Sequence, residues 1–72
     1  MNKQRRKSLE GIHDKLQALY GELEEIIIEE ESYKDSLPEN MVNRVEQAED
    51  ALSTMNDTLM NLMDAIDALE SL

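Results

Sequence analysis

Apolar positions recur along this chain in alternating steps of three and four residues, over two stretches separated by Pro38. The first stripe is Leu9, Ile12, Leu16, Leu19, Leu23 and Ile26; the second is Val45, Ala48, Leu52, Met55, Leu59, Leu62, Ile66 and Leu69. A mean period of 3.5 is the signature of helices that pack along a seam. The pattern predicts helix one over about residues 3–34, a turn over about 34–37 and helix two over about 37–71. With so short a connection the two helices must run antiparallel.

In heptad terms, Leu9, Leu16 and Leu23 take position a and Ile12, Leu19 and Ile26 take d, so that Glu30 continues the a row and Tyr33 the d row. The expected seam of helix one is this a/d pair of rows. His13, Tyr20 and Ile27 fall on the e flank, which makes the apolar face wider than a two-stranded zipper needs. A helix with two neighbours has such a face. In helix two the a row is Val45, Leu52, Leu59 and Ile66, and the d row is Ala48, Met55, Leu62 and Leu69. Near the turn, Ser36 followed three residues later by Glu39 matches a capping box, and Pro38 suits a first helical turn, so helix two is expected to begin at about Leu37.

Seventy-two residues make one domain, and two facing stripes leave much apolar width uncovered. No cysteine is present to staple the fold. The fold class expected is therefore all-α: an antiparallel helical hairpin over residues 1–72 that self-associates into a four-helix bundle, as a homodimer or higher homo-oligomer.

Charge divides the chain unevenly. The formal total is −10, yet residues 1–15 hold five basic side chains against two acidic ones, a local +3, leaving −13 for the rest. Such an acidic body disfavours nucleic acid and anionic membranes, except at the basic end. The basic start runs directly into Ser8, Leu9 and Glu10 with no apolar stretch of signal-peptide length, and the expectation is a cytoplasmic chain without a membrane span. Antiparallel packing sets Arg5, Arg6 and Lys7 beside Asp64, Asp67 and Glu70, whose charges can answer them.

Candidate chemistry is sparse. Glu10 and His13 have the Glu-x-x-His spacing of bundle di-iron sites, but Glu10 falls on b, pointing outward, so no metal is expected. Glu30 holds a core-phase position in an acidic run, and its simplest reading is a solvated carboxylate where the seam ends. Asp50, Asp57 and Asp64 form an acidic row on helix two, about 10.5 Å apart by helix rise. The row reads first as a solvated face and second as a mimic of a nucleic-acid backbone. Met60 and Met63 lie off the seam at b and e, and are read as filling a second helix–helix contact, or else as an adaptable partner surface. No nucleophile–base grouping or phosphate-binding glycine loop is written in the sequence, so neither catalysis nor a cofactor is expected.

Three segments carry a resemblance: the opening Met-Asn-Lys-Gln-Arg-Arg-Lys, the turn Ser32-Tyr-Lys-Asp-Ser-Leu-Pro-Glu-Asn40 and the ending Met63-Asp-Ala-Ile-Asp-Ala-Leu-Glu70. Together they resemble small acidic helical proteins of phages and mobile elements of Gram-positive bacteria. That resemblance implies a non-catalytic protein that binds host factors, including an immune protein or a signalling nucleotide. For a nucleotide, Lys3, Arg5, Arg6 and Lys7 from several chains would surround phosphates while Tyr20 or Tyr33 stacks a base. For a protein target, Met60, Met63 or the row Asp50, Asp57 and Asp64 would carry the contact. A second expectation is RNA binding through paired first helices, using Lys3, Arg6, Lys7 and Gln17, by architectural similarity to the plasmid repressor-of-primer protein. A third is a purely structural assembly protein.

Overall fold

The computed structural model describes all 72 residues and forms two long helices, α1 (Lys3–Ser36) and α2 (Val42–Glu70), joined by residues 37–41. They pack side by side as an antiparallel hairpin with extents of 59 × 15 × 12 Å. Every element is helical, as the periodicity predicts, and neither helix is long and apolar enough to cross a membrane.

Asn2 opens α1: its side-chain oxygen accepts from the Arg5 backbone N–H at 2.8 Å, satisfying one donor that the first turn leaves free. The other end of α1 is set by Pro38. A proline excludes the residue before it from helical geometry, and Leu37 is extended (φ −72°, ψ 137°). Here the expectation for the turn is corrected. Ser36 caps nothing in α2; its hydroxyl donates back to the Tyr33 carbonyl at 2.7 Å, inside α1. Pro38 acts as a helix stop, its carbonyl accepts from the Met41 N–H at 3.0 Å, and α2 begins at Val42 rather than Leu37. Met41 supplies no side-chain cap. At the open end α2 closes with the Ser71 N–H on the Asp67 carbonyl at 3.2 Å.

The core is thin. Only Ile27, Ala48, Leu52 and Ile66 are buried, and the chain exposes 5662 Å². The seam of α2 is the predicted one, since every residue of its a and d rows from Val45 to Leu69 is buried or half-buried.

Candidate interaction surface

The seam of α1 differs from the expected pair of rows. Its residues turned toward α2 are Leu9, Leu16, Leu23 and Glu30 from the a row with His13, Tyr20, Ile27 and Lys34 from the e row, all buried or half-buried. The d row lies outside: Ile12 is 47% exposed, Leu19 50%, Ile26 51% and Tyr33 44%. The a/d seam expected for α1 is thus replaced by an a/e seam. Both flanks of the a row present apolar surface, and the hairpin uses the one that carries His13, which meets Glu70 on α2.

That contact is the principal polar link between the helices. His13 Nε2 lies 2.9 Å from Glu70 Oε1, while Nδ1 lies 3.4 Å from Asp14 Oδ1. Hydrogen bonding to Glu70 first, and to Asp14 second, raises the imidazole above its ordinary value of 6.5. Glu10 makes no hydrogen bond to the His13 ring, and no group of three His or carboxylate side chains has an arrangement that could hold a metal ion. Arg6, Glu10, His13 and Glu70 line an open-end cleft of about 240 Å³ together with Leu9 and Leu69.

The basic residues do not converge. Arg6 reaches over the end of α2 to donate to the Leu72 carbonyl at 3.3 Å, whereas Lys3, Arg5 and Lys7 are exposed. None of the four forms an ion pair with Asp64, Asp67 or Glu70; the side chain that meets one of these acids is His13, on Glu70. Tyr20 is half-buried against α2, about 21 Å along the helix from Arg6, and Tyr33 lies about 20 Å further on. Within one protomer the candidate phosphate-binding and base-stacking groups are therefore far apart.

The two sides of the seam differ in character. One side holds two shallow grooves, the first lined by Gln17, Tyr20, Met63, Ile66, Asp67 and Glu70, the second including Glu31, Lys34, Glu49, Ser53 and Asn56. Met60, 66% exposed, neighbours this side, and Met63 stands at its edge, so neither fills a contact inside the hairpin. Asp50, Asp57 and Asp64 run along the back of α2, all exposed and without a cationic partner. Glu30 is half-buried where the seam nears the loop.

Helix geometry puts the α1 d row on the opposite side, next to the g row of α2. That g row is Arg44, Ala51, Thr58 and Ala65, and the c row beside it is Gln47, Thr54, Asn61 and Ala68. Every carboxylate of α2 belongs to the b, e or f rows, leaving this face free of them. Thr58 turns its hydroxyl to the Thr54 carbonyl at 2.9 Å, so the hydroxyl hydrogen is satisfied within the helix. Sequence reasoning missed this face because it assigned the d row to the hairpin's own seam; the carboxylate-free g and c rows of α2, with Ala51, Ala65 and Ala68 among them, were the available signal. Compared with known protein families, with curated proteins and with solved structures, the chain matches none.

Proposed function

We propose that this chain is a non-catalytic binding protein that works through its helix faces. One observation carries the reading: large apolar side chains stand exposed on both sides of the hairpin, Ile12, Leu19 and Ile26 on one and Met60 and Met63 on the other, while four residues form the core. Apolar surface arranged in rows along rigid helices suits a partner that docks lengthwise. Taken with the resemblance to small proteins of phages and mobile elements, the target proposed is a host protein, with counter-defence as the purpose.

A protein target is favoured over a nucleotide signal because the exposed rows are apolar, and no single protomer gathers Arg6, Tyr20 and Tyr33, which are spaced about 20 Å apart along α1. The Met60 and Met63 edge is the surface assigned to that target. Methionine side chains adapt to varied apolar surfaces at little cost. A photo-crosslinking residue placed at Met60 in the cells that make the protein tests the reading. A discrete covalent adduct to one other protein, absent when the same probe replaces Asp57 on the back of α2, is the expected result; no adduct at Met60 contradicts it.

A further inference from the structure

The d-row face lacks an occupant within the chain, and its makeup identifies one. We propose that a second copy of this chain covers it, packed antiparallel about a two-fold axis that crosses the long axis of the hairpin, so that α1 lies along α1 of the partner and α2 along α2. This rests on the reading of the chain as a binding protein and names the partner for one of its two faces.

Area gives the first argument. A compact monomer of 8.3 kDa is expected to expose about 4,600 Å² from the scaling of surface with mass, about 1,100 Å² less than the 5662 Å² found here. A standard stable interface buries about 800 Å² per partner, so the excess is enough for one such contact.

The choice of rows gives the second. Within the hairpin, α1 turns the more polar flank inward, with His13, Tyr20 and Lys34 among its residues, and leaves Ile12, Leu19 and Ile26 outside. A self-sufficient hairpin gains more by burying the isoleucine and leucine row. The observed arrangement is the one expected when that row belongs to another contact. Its direction fits too, because on a helical wheel the d row of α1 lies roughly 80° from its a/e seam and the g row of α2 roughly 90° from its a/d seam, which is where a four-helix bundle places a second neighbour. On α2 the matching rows present Ala51, Thr58, Ala65 and Ala68, small enough for two helices to approach closely.

Charge sets the orientation. At the open end, residues 1–15 and 58–72 hold five bases and five acids, net zero. At the loop end, residues 28–50 hold eight acids and two bases, net −6. Two hairpins packed with their loops together gather −12 at one end, whereas loops at opposite ends set −6 beside zero at both. The row itself permits the reversal. Read in either direction it is a polar or aromatic residue, three aliphatic ones, then another polar or aromatic one: Arg5, Ile12, Leu19, Ile26, Tyr33. With the two-fold crossing α1 between Leu19 and Ile26, each Leu19 meets the partner's Ile26 and each Ile12 meets the partner's Tyr33, and the basic start of each α1 lies toward the acidic loop end of its partner.

Spin labels on an Asn40→Cys variant of the full chain, with molecular mass measured on the same sample, provide the test. A species of twice the chain mass with an inter-label distance of about 50 Å is expected, from the helix rise on either side of the axis. A dimer with labels closer than about 25 Å has its loops together and overturns the orientation. A monomer at every concentration overturns the second copy as occupant. Ile26→Glu is expected to abolish the doubled mass and Met60→Glu to preserve it; the reverse pattern places the interface on the other side of the hairpin. The two proposals fail separately: a monomer that still gives the Met60 adduct refutes the second copy alone, and a dimer without that adduct refutes the external target alone.

Discussion

His13 is the titratable side chain that the fold engages most directly, because its ring is held between Glu70 across the seam and Asp14 beside it. Both carboxylates favour the protonated ring, so the folded state binds this proton more tightly than the unfolded chain does. The resulting stabilisation is fully present below the unfolded value of 6.5 and is lost as pH rises through the raised folded value. Glu10 and Arg6 line the same cleft. The melting temperature should therefore fall as pH rises above about 6.5, and His13→Gln should remove that fall. A variant that keeps the full pH dependence contradicts the assignment. Other residues add little at this scale. A methyl group at Gly11 or Gly21 would meet no atom within 4 Å, so no packing requirement explains either glycine.

At the scale of the element, α1 and α2 each carry charges that oppose their own dipoles. The first turns of α1 are basic, with Lys3, Arg5, Arg6 and Lys7 at its positive end, while α2 ends on Asp67 and Glu70 at its negative end. Side by side and antiparallel, each end offsets the other, which favours the hairpin over either helix alone. The assignment of α1's rows makes a sharper prediction. Ile27 is 6% exposed and Ile26 is 51% exposed, though they are chain neighbours of identical chemistry. Ile27→Ala should cost about 2–5 kcal/mol in chemical denaturation at any protein concentration. Equal costs at high dilution for Ile26→Ala and Ile27→Ala would contradict the a/e seam. The sequence pattern revealed both helices, the α2 seam and the neighbourhood of the turn, because each rests on a period that a single chain displays. It did not reveal which flank of α1 faces α2, since Ile12 and His13, Leu19 and Tyr20, and Ile26 and Ile27 offer two rows of compatible period. Nor did it distinguish Pro38 as a stop from Pro38 as a start, because both roles place proline beside a helix end and the decision lay in the extended geometry of Leu37. The cross-helix His13–Glu70 contact was equally hidden, as its partners are 57 positions apart and only the hairpin register joins them.

For the whole molecule, a hairpin 59 Å long and 12 to 15 Å across has no interior beyond its one seam. Its four buried residues leave stability dependent on what covers the remaining faces. Pairing two hairpins across the d row converts one seam into a bundle core and leaves the acidic back of α2 outward, where Asp50, Asp57 and Asp64 favour solubility. In that arrangement the Met60 and Met63 edge stays open to a different partner, so self-association and target binding do not compete for one surface. Folding and association are then coupled, and apparent stability must rise with protein concentration. Sedimentation equilibrium of the unmodified chain across a hundredfold range of concentration tests this account most directly. Convergence on twice the 8.3 kDa chain mass as concentration rises is the predicted result. A fully helical species that holds the single-chain mass throughout the range would contradict it.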